Sequence, residues 1–442
     1  MIKPEVKNMK KKKMMPSGIS AVLLLAGCAG NVQAQNETET AVTEETAVNE
    51  EISETVSEEE TAAYDTSVIH EAAVINADEE ITGGTYIADE TDESVLDVSG
   101  SASVSVSGSL IQKTSGDASS ADDSSFKGVN AAVRVYDGAK AVIKDAVIEA
   151  DASNATGIFA YDTGTVEISD SAVTVTGGGA GGIQVAGGGT LCAYDLTVTS
   201  SSKAAIRSDR GGGIMVIDGG TYTSLGRNGC PSIYSTADIT VKNAECISEN
   251  SRAVIIEGKN SVTLENCDLY GNDQSDKEGS VKANVLLYQS ASGDASDGTS
   301  VFSMKGGSMT SYSGAMFYCT NTSSVISLEK AELVLSEEGA LLIVSEGRWG
   351  KEGSNGGSCE FNASDQKLAG DIIVDSISTL TLNLNNSSYT GMIESEGNTS
   401  VVMDENSTWT LTGDSYLTSF EGDLSSITAN GYHLYVNGVQ VI

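Results

Sequence analysis

Between residues 141 and 266 the chain returns six times to one short phrase, alternating apolar residues closed by an aspartate or asparagine. The phrase ends at Asp145, Asp170, Asp195, Asp218, Asn243 and Asn266, at intervals of 23 to 25 residues. A second ladder, Val133, Ile158, Ile183, Ile206 and Ile233, keeps nearly the same period. Self-similarity at this spacing is the mark of a repeat architecture. Each unit holds short runs of period-two alternation and no long amphipathic helix, so the units are strands joined by turns. One such unit cannot bury its own apolar face. A stack can, if every strand pairs with its counterpart one coil later at about 4.8 Å. The glycine runs at 177–179, 187–189 and 211–213 suit tight corners, and the repeated Asp/Asn suits a turn where a side chain bonds nearby backbone. The expected fold is all-β, a single-stranded right-handed parallel β-helix.

Later units are less regular, as at Val301–Gly306, Ile326–Leu328, Leu380–Leu382 and Trp409–Leu411, and inserted loops at 271–282, 289–299 and 346–358 account for the wider gaps. Asn437-Gly438 between alternating residues reads as a hairpin that caps the last coil and covers its pairing edge. Between about Ile81 and Ile442 the period predicts roughly 13 coils in a rod about 60 Å long, with the β-helix spanning 78–442.

The phrases Ile217-Asp218-Gly219-Gly220-Thr221-Tyr222 and Ser407 to Tyr416 resemble those of adhesin-like β-helix proteins of gut anaerobes, within the pectate-lyase-like superfamily of right-handed parallel β-helices. The resemblance covers about 350 residues. It implies surface exposure and no established activity.

The N-terminus tells where such a domain would work. Six lysines precede a short apolar run, and Leu25-Ala26-Gly27-Cys28 resembles the lipobox of bacterial lipoproteins. Crossing a bilayer takes about 20 apolar residues and this run has roughly ten, so it reads as a leader, residues 1–27, and Cys28 as the lipidated first mature residue. The plainer alternative is a secretory signal cut after Ala34. Residues 28–112 contain no Lys or Arg and 20 Asp or Glu. The stretch 28–77 is expected to be an acidic, self-repelling disordered tether that holds the domain off the membrane. Loss of the leader takes the formal charge from −37 to −42. Such a surface repels nucleic acid and anionic lipid, so the expected membrane contact is the lipid anchor alone. No sortase-type signal or apolar span follows Trp409.

Chemistry is sparse in this sequence. Its two histidines, His70 and His433, preclude a Ser-His-Asp or Cys-His arrangement in the repeats. The six cysteines beyond Cys28 lie in separate coils without metal-binding spacing, so no metal is expected; Cys246 with Cys267 is the one pair to test for a disulfide. No cofactor is expected, although acidic loops such as 273–278 offer oxygens for loosely bound calcium.

If Val133 and Val135 point inward, the outward column reads Arg134, Phe159, Gln184, Arg207 and Tyr234, beside Tyr136, Tyr161, Ala186 and Asp209. Aromatic faces among arginines suit stacking on sugar rings and bonding their hydroxyls, so Arg134, Tyr136, Phe159, Tyr161, Gln184, Arg207, Asp209 and Tyr234 are candidate ligand contacts. The plainer reading is that they simply cover the sheet. Asp137 and Asp162, one coil apart, have the separation of a retaining-glycosidase pair but also stand in strong turn sequences, and the turn reading is favoured. Polygalacturonase-like Gly-His-Gly and Arg-Ile-Lys phrases are absent.

The expected function is a non-catalytic, lipid-anchored surface protein that presents an adhesive face to a glycan or to a protein of a host or neighbouring cell. The alternatives are a polysaccharide lyase or glycoside hydrolase, and a passive spacer. Replacing Cys28 by Ser is expected to release the protein from the membrane fraction; retention there without attached lipid would contradict the anchor.

Overall fold

The computed structural model describes residues 67–277 and 279–442, so the leader, Cys28 and the tether up to residue 66 lie outside the described residues. One turn of the chain shows the plan. Val133–Val135 forms a first face, Lys140–Lys144 a second and Val147–Ala150 a third, after which Ile158–Tyr161 returns to the first. Each pairs in parallel with its successor: Val133 with Ile158, Lys140 with Thr165 and Val147 with Ala172. The fold is an all-β parallel β-helix whose first face is one 13-stranded parallel sheet. The ladder Val133, Ile158, Ile183, Ile206, Ile233 read from the sequence is in strict register from coil to coil.

Alternation sets the burial. In Lys140–Lys144, Ala141 and Ile143 point into the solenoid while the lysines and Val142 face out. The interior is a column of Val, Ile, Leu and Ala, with large rings where coils widen. Phe302, Phe317 and Phe361 meet edge to face with centroids 5.6 Å apart. Trp409 is fully buried and donates from its indole Nε1 to Gly391 O at 3.0 Å.

The second and third faces meet at a one-residue bend. Asp145, Asp170, Asp195, Asn243 and Asn266 occupy that bend with φ between 48° and 53°. Short side chains that bond local groups tolerate this left-handed conformation, as β-branched residues do not. Asn243 Nδ2 reaches down to Asp218 Oδ1 at 2.6 Å, and Asn386 repeats the contact with Asp365. One coil departs from the sequence ladder. Asp218 pairs with Tyr194, so the bend there falls to Gly219, at φ 79°. The preceding coil fits closely enough that a Cβ on Gly219 would lie 2.0 Å from Asp195 Oδ1.

Other differences from the sequence reading are local. Paired strands begin at Ile69–Glu71, ahead of the boundary expected at 78, and His70 stacks on Tyr86 with centroids 4.6 Å apart. A seven-residue helix, Ala121–Lys127, interrupts one coil. Ser120 caps it by accepting from Asp123 N, acids fill its first turn, and left-handed Gly128 closes it. Cys246 and Cys267 are separate, buried free thiols, and Cys246 stands level with Leu269 rather than with Cys267. Leu434–Val436 and Val439–Gln440 form the expected terminal hairpin about Asn437-Gly438.

The bend makes a direct test. Asn266 is exposed, so Asn266→Gly is expected to leave urea stability nearly unchanged, whereas Asn266→Val is expected to cost about 1–2 kcal/mol through left-handed strain. A Val variant as stable as the wild type would contradict the assignment.

Candidate binding site on the first face

In-register stacking turns each outward position into a column. Arg134, Phe159, Gln184, Arg207 and Tyr234 align on successive coils, and the column continues through Ile255, Leu286, Tyr318 and Ile343. The sequence reading therefore placed these side chains in the right line. What covers the line decides which of them a ligand can reach.

The helix Ala121–Lys127 covers its first part. Arg134 Nε donates to Lys127 O at 2.9 Å, and its guanidinium lies 4.0 Å from the Tyr136 ring centroid and 3.6 Å from Asp97. Gln184 Nε2 donates to Ser125 O at 2.8 Å. Phe159 is fully buried, packed so closely by the helix C-cap that a Cβ on Gly128 would lie 2.5 Å from its ring. Tyr161 packs beside it. Phe159 and Gln184, both fully buried, are out of a ligand's reach, while Arg134, Tyr136 and Tyr161 are only partly exposed. Asp137 and Asp162 are exposed turn residues at φ 55° and 53°, which is the turn reading of that pair.

Arg207 and Tyr234 belong to a different place. There, loops 226–230, 271–282 and 345–357 rise around the first face and enclose a cavity of about 280 Å³. Its floor is Arg207, Tyr234, Ile255, Leu286 and Tyr288, and its walls include Arg252, Lys277, Arg348 and Trp349. Small-ligand pockets start at roughly 300 Å³, so this is space for one or two ring-sized groups. The aromatic surfaces are oriented: Tyr288 and Trp349 meet at 4.5 Å and the Arg207 guanidinium lies 4.5 Å from the Tyr234 centroid.

Buried carboxylates hold this floor from behind. Asp209, 2% exposed, accepts from Arg207 Nη2 at 2.7 Å and Nε at 3.0 Å. Burial works against the Arg207 charge, but Asp209 and Tyr234 outweigh it and hold the guanidinium above its ordinary range. Glu257, almost fully buried, accepts from Tyr234 Oη at 2.5 Å, Tyr288 Oη at 2.8 Å, Ser292 Oγ at 3.3 Å and Ser290 Oγ. Burial, with Glu257 beside them, pushes both tyrosine hydroxyls above the usual phenol range. Asp273 is buried against Arg252 Nε at 3.0 Å and also accepts from Ala283 N at 3.2 Å, which anchors the 271–282 loop. Asp209, Glu257 and Asp273 are thus committed to internal bonds, and among the described residues no carboxylate lines the cavity.

Sequence reading missed Arg252, Tyr288, Arg348 and Trp349. The first-face column did pass through this region, since Tyr234 leads to Ile255 and Leu286, but the enclosing loops lack the repeat signal. A groove of about 430 Å³ on the third face, lined by Glu245, Glu249, Tyr270 and Tyr312 among others, has the opposite electrostatic character. Among the described residues no group of three or more His, Cys, Asp or Glu side chains could hold a metal ion, and no helix is long and apolar enough to cross a membrane. No described protein family matches the chain, and no curated protein is significantly similar to it.

Lys203 reports on the charge in this region. Its Nζ donates to Ser125 Oγ at 2.6 Å, and burial, reinforced by neighbouring Arg207, pulls its pKa from the usual 10.5 down to about 8. Because the folded value is the lower one, the penalty for burying this ammonium is complete below pH 8. It is relieved as pH rises from there toward 10.5. The Lys203 Cε resonance is expected to titrate near pH 8 by NMR; a midpoint above 10 would contradict a buried lysine beside a fixed guanidinium.

Proposed function

We propose that this chain is a lipid-anchored surface protein of the adhesin-like, pectate-lyase-like kind, and that its first-face cavity binds sugar without cleaving it. The observation that carries the reading is the convergence of Tyr234, Tyr288, Trp349, Arg207 and Arg348 in one ring-sized cavity. Aromatic faces pack against the apolar face of a pyranose while guanidinium and hydroxyl groups bond its rim. The anchor and the tether enter from the leader and the acidic segment of the sequence, and would carry the site away from the membrane.

A hydrolase would need two available carboxylates, and those nearest the floor are occupied by Arg207, by Arg252 and by two tyrosines. A uronate lyase would need, beside an Arg or Lys base, carboxylates to hold calcium, and among the described residues none lines the cavity. Lys203 has a base-like pKa of about 8, but its ammonium bonds Ser125 and does not line the cavity. Binding is therefore the reading favoured over catalysis.

The test is a glycan array probed with the full chain. Trp349→Ala is expected to weaken binding by at least about tenfold, the scale of losing one aromatic contact. Arg134→Ala, beneath the helix, is expected to change nothing. Undiminished binding by Trp349→Ala would place the site elsewhere.

A further inference from the structure

We propose that the cavity selects sugars carrying an oxyanion, a carboxylate or a sulfate. This rests on the sugar-binding reading and adds to it the chemical class of the ligand. The chain has 62 acidic and 25 basic residues, yet among the described residues the four charged side chains lining this cavity, Arg207, Arg252, Lys277 and Arg348, are all cations. Clustering against the composition of the molecule calls for a local reason.

The four are not equivalent. Asp209 neutralises Arg207 and Asp273 neutralises Arg252, each from the side away from the cavity. Arg207 and Arg252 thereby become fixed donors in the floor and wall. Lys277 and Arg348 have no carboxylate partner among the described residues. Arg348 lies against Trp349, its guanidinium carbon 5.1 Å from the ring centroid. An arginine held flat by an aromatic ring presents its N–H fork to a planar or tetrahedral oxyanion, and a ring stacked on Trp349 would bring such a substituent to it. Lys277, on the loop tied down by Asp273, adds a second point charge to the lining. A neutral sugar here would take water from two cations and return hydroxyl contacts but no opposite charge, which is how a site disfavours the uncharged analogue.

The remaining charge of the molecule works in the same direction. A chain with a net charge of −37 repels anions at long range, so any anion held must be held by short contacts inside a preformed site. Selectivity should accordingly disappear when those contacts are removed.

The experiment is calorimetric titration of the full chain in detergent with methyl β-D-glucuronide, glucose 6-sulfate and methyl β-D-glucoside. The double variant Lys277→Gln/Arg348→Gln is run alongside, with circular dichroism and melting to verify folding. At least one of the two anionic sugars is expected to bind about tenfold or more tighter than the neutral one, and the preference is expected to vanish in the folded double variant. The glucuronide and sulfate arms decide which oxyanion fits. Equal binding of anionic and neutral sugars, or a preference that survives the double substitution, overturns the inference and leaves the sugar site standing. So does failure of all three sugars while array binding of neutral glycans persists. Failure of every sugar in titration and array alike brings down the sugar-binding reading together with this one.

Discussion

In-register hydrogen bonding between successive coils is the constraint on which the rest of this structure depends. Each strand satisfies its backbone polar groups only if the coil beside it places a strand at the same height, so every coil must pass the three faces at fixed points. The left-handed bend between the second and third faces is the tightest of those points. It explains why Asp, Asn or Gly recurs there, with Lys330 at φ 55° the exception in one coil, while the neighbouring residues vary. Between the fixed points the chain is free to lengthen. Insertions such as 271–282 and 346–358 leave the ladder intact on either side, as the pairing of Val254 with Val285 and of Leu342 with Ile372 shows.

That division of labour builds the cavity. The sheet supplies a rigid floor in which Arg207, Tyr234 and Tyr288 stand at set heights, and the loops supply Arg252, Lys277, Arg348 and Trp349 around it. Buried acids bind the two systems together: Glu257 joins the tyrosines to Ser290 and Ser292, and Asp273 joins Arg252 to the 271–282 loop. Removing one partner from a buried pair such as Arg252 and Asp273 costs about 3–5 kcal/mol, because the other charge is stranded. The same bonds that neutralise the Arg207 and Arg252 guanidiniums from behind therefore also keep them in place. Helix Ala121–Lys127 does the opposite over the preceding coils, sealing Phe159 and Gln184 beneath it.

Most of the solenoid was legible because its signal is periodic. Val133, Ile158, Ile183, Ile206 and Ile233 share an environment repeated every coil, and their spacing in sequence is their spacing in the stack. Asp218 was misplaced by one position because a glycine pair can take the bend that a single Asp takes elsewhere, and alignment by residue type cannot see φ. The helix carries its own local marks, Ser120, Asp122, Asp123, Lys127 and Gly128, but it is too short to show an amphipathic period. The candidate site was half legible. Arg207 and Tyr234 lay on a column that could be drawn from the repeat. Arg348 and Trp349 meet them through an inserted loop, and no spacing rule carries that contact.

The chain has two tryptophans, one sealed in the core at Trp409 and one at the cavity, Trp349. Intrinsic fluorescence therefore distinguishes the site from the rest of the molecule without any label. The most direct measurement is a fluorescence titration of the full chain with oligosaccharides, repeated with Trp349→Phe. A ring stacking in the cavity predicts a saturable change in emission that is lost in Trp349→Phe, leaving only the constant signal of Trp409. A saturable change that persists in that variant, or saccharide binding that leaves Trp349 emission untouched, would contradict the account.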